Sequence, residues 1–229
     1  MIAKPATESK CTKDHIALKV EHLAQWYLRL NGFMTINDFV LHPNHKSQSQ
    51  RTDADIFGVR FPLRKELDFE DDEPFRSMRK PHFIIAEITQ GECKLNGPWT
   101  KPERENMQYV LQALGAFDRK DLDGIARSLY EKYYFDVPDF RVELIAFGKK
   151  VSSNFADPEK PLFQLEFHAL CRFIFRRFRQ FISIKKDHQH WDYAGRKLWD
   201  LTEVHWNSEE AFVRDALSAF GITDLPIPR

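Results

Sequence analysis

With 229 residues, 42% of them hydrophobic, the chain is long enough for one sizeable core. Lys plus Arg and Asp plus Glu both number 34, and the resulting formal charge of +0 argues against a protein that coats nucleic acid over its whole surface, while allowing a local basic face. Cys11, Cys93 and Cys171 form no CxxC pair and read as free thiols of a reducing compartment. No signal pattern and no apolar run of membrane length stands in the sequence, so a soluble, cytoplasmic protein with no membrane partner is expected.

The first 13 residues are polar and read as a frayed end. From Asp14, the spacing of Ile16, Val20, Leu23, Tyr27 and Leu30 predicts an amphipathic helix that Gly32 ends. Glu21 lies at the edge of its apolar stripe, either as an ordinary solvated glutamate or as a carboxylate leaning over a neighbouring sheet. Residues 33–41 and 53–60 read as strands joined by a polar loop. Asp53 and Asp55 share a face if the second strand is regular. Glu66, Asp68, Glu70, Asp71, Asp72 and Glu73 read as a solvated loop without EF-hand spacing.

Residues 83–90 form the third expected strand, followed by an Asn96-Gly97-Pro98 turn. Thr100 and Glu103 match a capping box, which predicts a helix carrying Met107, Val110, Leu111 and Leu114 and stopping at Gly115. A shorter helix is expected over 121–134, a fourth strand over 141–147, and a linker holding Pro158 and Pro161. The rest reads as helical. Phe167, Leu170, Phe173, Ile174, Phe178 and Phe181 stripe one side of a helix over 165–184, and another helix is expected over 211–220. A three-strand meander followed by a helical crossover makes an α/β fold with a mixed sheet. The expected organisation is a core over 1–160 and a helical extension over 161–229.

Asp55 and Glu87 each place a carboxylate inside an apolar strand, which is costly without a positive partner. If their strands pair as a hairpin, a divalent cation between them removes the cost. Magnesium needs only one or two protein carboxylates, so Asp55 and Glu87 suffice for Mg2+ or Mn2+, with Glu21 or Asp53 assisting. The plainer alternative is a pair of edge-strand acids facing solvent. Arg172, Arg176, Arg177, Arg179, Lys185 and Lys186 interleave the Phe stripe and suggest a surface for a nucleic-acid backbone. The same pattern also fits a packing helix with a solvated cationic side, or a helix lying on a membrane surface. His188 and His190 read as structural or surface residues, and His168 as a phosphate contact. The absence of GxxxxGK[ST], GxSxG and GxGxxG argues against NTP hydrolysis, serine hydrolase chemistry and dinucleotide binding. An ATPase or helicase activity would come from a partner subunit.

Over residues 16–148 this order resembles the PD-(D/E)xK nuclease superfamily, the restriction-endonuclease-like fold. Asp55-Ile56-Phe57-Gly58-Val59-Arg60 is similar to its aspartate strand, Ile84-Ile85-Ala86-Glu87-Ile88-Thr89 to its Glu-x-Lys strand, and Glu21 to its helix acid. The resemblance implies a metal-dependent nuclease that hydrolyses DNA, with RNA as second candidate, in a bacterial or phage defence setting. Its catalytic residues would be Glu21, Asp55, Glu87 and Lys94. Thr89 stands where the family has lysine. Lys94, five residues beyond Glu87, faces the other way in a straight strand, and a bulge at Gly91 would bring it back. The rival reading is a catalytically inactive module of this fold that binds nucleic acid or a partner protein. A third is an interaction protein whose Phe-rich helices form a homo-oligomer.

Overall fold

The computed structural model describes residues 17–41, 52–64, 69–185 and 192–223. Their organising element is a six-stranded mixed sheet. Strands β1 (Met34–Leu41), β2 (Thr52–Arg60) and β3 (His82–Ile88) form an antiparallel meander. After β3 come α3 (Asn106–Leu114) and α4 (Leu122–Lys132), preceded by the one-turn helix α2 (Glu73–Arg76) between β2 and β3. This crossover returns the chain as β5 (Arg141–Gly148), parallel to β3. The far edge of β5 is shared. Strand β4 (Tyr134–Asp136) pairs antiparallel with its first half, and β6 (Phe163–Glu166) pairs parallel with its second.

Both faces of the sheet are covered, as suits strands that are nearly continuous apolar runs. Alternation along β3 sends Ile84, Ala86 and Ile88 to one side and Ile85 to the other. The first side packs on α1 (Val20–Leu30), α5 (Phe167–Lys185), α6 (Tyr193–Val204) and α7 (Glu209–Ala219). The second packs on α3 and α4 through Met107, Val110, Ile125 and Leu129. The Phe stripe of α5 is this packing surface: Phe167, Leu170, Ile174 and Phe178 are fully buried against the sheet side that carries Ile84 and Phe147.

The helix after the Asn96 turn departs from expectation. Thr100 does not cap it, because its hydroxyl donates to the Gly97 carbonyl at 3.2 Å. Gly97–Trp99 and Pro102–Arg104 are separate 3-10 turns. α3 starts only at Asn106, after Glu105 in the left-handed region at φ 54°. The segment from 161 onward is not purely helical. It begins by adding β6 to the sheet, and its helices then close one whole face. Gly32 ends α1 as anticipated, at φ 84°.

Candidate functional site

In the β2–β3 ladder Ile56 pairs with Ala86. That is the last pair of the ladder at this end; Asp55 and Glu87 are the next residues on their strands, close enough for the Asp55 charge to act on Glu87. Glu87 is fully buried and Asp55 half-buried. Burial pushes the Glu87 carboxyl up to about 8, and the neighbouring Asp55 adds to the rise. Burial likewise pushes Asp55 up to about 6, with Glu21, Asp53 and Asp38 adding repulsion against the pull of an Ile88 N–H.

Hydrogen bonds hold both groups in place without neutralising them. Trp99 Nε1 donates to Glu87 Oε1 at 2.5 Å and Asn96 Nδ2 donates to Oε2. The Ile88 N–H donates to Asp55 Oδ2 at 2.6 Å. A second buried glutamate on the adjacent parallel strand shows what is missing. Burial raises Glu143 too, but His82 and Arg141 reverse the balance and hold it below its ordinary value. His82 Nε2 lies 3.0 Å from Glu143 Oε2, and Arg141 Nη2 donates to Oε1 at 2.6 Å. Glu87 has two neutral N–H donors and another acid nearby, and no partner like the Arg141 guanidinium bonds it among the described residues.

Around Asp55 the backbone is irregular. The β1–β2 ladder passes from Asn37–Ile56 to Phe39–Ala54 and skips Asp55 and Asp38, and Asp38 sits at φ 49°, in the left-handed region. Ala54 and Phe57 both join the α3/α4 side although they are three apart. The strand's alternation therefore breaks between Ala54 and Phe57. Glu21, on α1, contributes to the rise of the Asp55 pKa, and its Oε2 is buried without a hydrogen-bond partner. Asn37 Oδ1, on β1 next to Asp38, is also buried and unpaired. Oxygen acceptors and negative charge gather here without matching donors, an environment that fits a hard cation.

A bulge of the kind needed to turn Lys94 back lies beside Gly91. Ile88 pairs with Phe147 and Glu92 with Lys150, so four steps of one chain run beside three of the other. Gly148 permits the close approach: a Cβ there would stand 2.8 Å from both the Cys93 nitrogen and the Gly91 oxygen. The Thr89 hydroxyl donates to the Glu92 carbonyl at 2.8 Å, tying the bulge together. Lys94 emerges exposed beyond it and lines an open depression of about 710 Å³ together with Asp55, Thr89 and Asn96.

No family model, curated protein or solved structure matches the chain. Among the described residues, no three His, Cys, Asp or Glu side chains form a group that could hold a metal ion on protein ligands alone. A magnesium site needs fewer, since that ion keeps several of its waters.

The basic residues of α5 do not share one surface. Arg177 is buried and cannot meet a phosphate. Its Nη1 donates to the Leu30 carbonyl at 3.1 Å and its Nη2 to the Glu70 carbonyl, while its guanidinium lies against the Phe69, Phe173 and Phe181 rings. The residue ties the end of α1 to the acidic segment. Arg172 and Arg176 pair with Glu209 on α7 at 3.5 and 2.7 Å. Arg179 stacks over Trp206 at 4.7 Å. The Lys185 side chain, Lys186, His188, His190 and Cys11 lie outside the described residues. His168 faces Glu166 at 3.1 Å. Cys93 and Cys171 are buried free thiols. No helix among the described residues is long and apolar enough to cross a membrane.

Sequence reasoning did not find Trp99 and Asn96, the two residues that fix Glu87. The signal was present in principle, because a buried strand carboxylate requires donors and a buried indole requires an acceptor.

Proposed function

We propose that this protein hydrolyses phosphodiester bonds of DNA with a divalent cation, Mg2+ or Mn2+, held by Asp55 and Glu87 and assisted by Glu21. The observation that carries this reading is the missing counter-charge. A buried and a half-buried acid with raised pKa values lie near one more acid with an unpaired buried oxygen, while Glu143 on the next strand has the Arg141 guanidinium. The bound ion would supply Lewis acidity to the phosphoryl group and to the attacking water. The chain's own contribution is geometric and electrostatic. Trp99 and Asn96 hold Glu87 in one orientation, and the Ile88 N–H does the same for Asp55. Lys94 puts a positive charge on the rim where phosphate oxygens would arrive.

The test is a pair of measurements. Magnesium or manganese should raise the melting midpoint of the wild-type chain, and Asp55→Ala and Glu87→Ala should abolish that rise. DNA, supplied as plasmid, short duplex and single strand, should be cut in manganese in at least one of these forms, with activity lost in both variants and reduced about 100-fold or more in Lys94→Ala, the scale of removing one transition-state donor. Equal midpoints with and without either ion would overturn the reading. A second reading is a non-catalytic module of the same fold that binds nucleic acid or a partner protein. It is favoured by Thr89, which takes the lysine's place and spends its hydroxyl on a backbone carbonyl. A cation-dependent midpoint without cleavage of DNA or RNA selects it.

A further inference from the structure

The depression beside the carboxylates is chemically uneven. Its lining carries three charged side chains, Asp55, Glu92 and Lys94. The same lining holds amides and one aromatic ring, Gln90, Asn96, Asn154 and Phe155. Gln90 and Asn154 are exposed, and their side-chain amides make no hydrogen bond to any described residue. Asn96 gives its Nδ2 to Glu87, which leaves its carbonyl oxygen to accept from elsewhere.

The far wall is rigid. It is the 3-10 turn Ser153–Phe155, and Gln164 on β6 clasps the residue before it. The Ser152 N–H donates to Gln164 Oε1 at 2.7 Å, and Gln164 Nε2 donates to the Ser152 carbonyl at 3.2 Å. The Ser152 hydroxyl accepts from the Asn154 N–H at 3.3 Å. Phe155 is half-buried and stands edge-to-face with Tyr133 at 5.7 Å. The ring is thus held in place while it borders open space.

Charge decides between two kinds of nucleic acid. A double helix carries a phosphate charge roughly every 1.7 Å, and proteins that hold it track the backbone with several cations. The depression offers one lysine against two acids. On α5, Arg177 is buried, Arg172 and Arg176 share the one acid Glu209, and the exposed Arg179 lies over the Trp206 ring. Unpaired bases expose the edges that side-chain amides read and the faces that aromatic rings stack on. A volume of about 710 Å³ lies within the size range of sites for single small ligands.

We propose that this depression seats an unpaired nucleotide of a nucleic-acid strand, with Lys94 at its phosphate, Asn154 and Gln90 on its base edge, and Phe155 stacked on its base. The proposal rests on the carboxylate pair being the reacting end of the site, and it narrows the substrate to single strands, frayed ends or flaps.

The experiment titrates the full chain, in magnesium, against a labelled single-stranded oligonucleotide and against the same sequence as a blunt duplex, read by fluorescence anisotropy. The single strand should bind more tightly. Phe155→Ala should weaken its binding about 5- to 100-fold, the range measured for one base stacked on one ring. Phe155→Leu preserves apolar packing against Tyr133 and should weaken binding too, which separates loss of stacking from loss of folding. Asn154→Ala should lower affinity less and flatten any base preference. Ribose and deoxyribose versions of the strand report which sugar is accepted. Equal or tighter duplex binding, or unchanged single-strand affinity in both Phe155 variants, overturns the proposal. Failure of the hydrolytic reading is visible separately, as a melting midpoint that magnesium does not move.

Discussion

Glu87 and Glu143 are buried on neighbouring parallel strands, and their acidities move in opposite directions. Raised pKa values mean that Glu87 and Asp55 favour the folded state while protonated. Their contribution is present below the ordinary carboxylate range and is lost as pH rises through about 6 for Asp55 and about 8 for Glu87. Glu143 works the other way, giving stability above the ordinary range and losing it in acid. Glu87→Gln removes the charge and keeps the shape, and the Asn96 amide can rotate to face the new one. In metal-free buffer this variant should melt above wild type at pH 8 and lose that advantage in the ordinary carboxylate range near 4.5. Each kcal/mol relieved is worth about 2–4 °C in a chain of this size. An identical difference at both pH values would show that Glu87 does not titrate as described. A cation must displace the same protons. The magnesium-induced rise in midpoint should therefore grow as pH climbs from about 6 to about 8, and calorimetry should detect protons released on binding. A rise independent of pH would place the ion elsewhere.

At the scale of elements, close packing overrides local preference. Gly195 lies inside α6, where alanine is normally worth about 1 kcal/mol over glycine. Here an added Cβ would stand 2.0 Å from the Trp26 ring on α1. The ring cannot retreat freely, since Asp192 accepts both the Trp26 indole N–H at 2.9 Å and the Gly195 N–H at 2.8 Å. Gly195→Ala should thus destabilise by about 1–3 kcal/mol, the range for overpacking, as read by urea denaturation. A stabilised variant would mean that α1 and α6 are not packed this closely. Arg177 makes the same point from the polar side. Arg177→Met fills similar volume but leaves the Leu30 and Glu70 carbonyls without their donor, and should cost about 3 kcal/mol with no specific loss of nucleic-acid affinity.

These cases mark where the sequence could be read and where it could not. The meander, the crossover and the parallel return were legible because apolar alternation and Gly or Pro breaks report local geometry. The bulge after Ile88 was legible because Gly91 offered the place for it. Strand β4, only Tyr134–Asp136, is too short to show a period. Strand β6 reads as the first turn of the Phe-rich helix that follows it. Arg177 could not be told from its basic neighbours, since exposure depends on where α1 and the acidic segment lie. The two acids stood out because carboxylates interrupt apolar strands. Their donors, Asn96 and Trp99, come from a turn whose direction no periodicity encodes.

For the whole molecule, the question is whether residues 161–229 are a removable extension. Phe167, Leu170, Ile174, Phe175, Phe178 and Phe181 are buried in one cluster with Ile56, Ile84, Ala86 and Phe147 of the sheet. Fully burying one such side chain is worth about 1.5–3 kcal/mol, while a domain's net stability is about 5–15 kcal/mol. Uncovering several of them at once exceeds the margin on which the remainder could stand. Strand β6 also closes the second half of the β5 edge, so its loss exposes unpaired backbone at Ile145, Ala146 and Phe147 as well. A fragment ending at residue 160 should therefore aggregate, or bind a hydrophobic dye and melt without a cooperative transition, whereas the full chain melts in one step. This coupling has a consequence for the site. Gln164 on β6 positions the turn Ser153–Phe155, so the depression beside Asp55 keeps its far wall only while the last third is folded. A soluble 1–160 fragment that melts cooperatively and still gains stability from magnesium would show that the sheet and the acid pair stand without their covering helices.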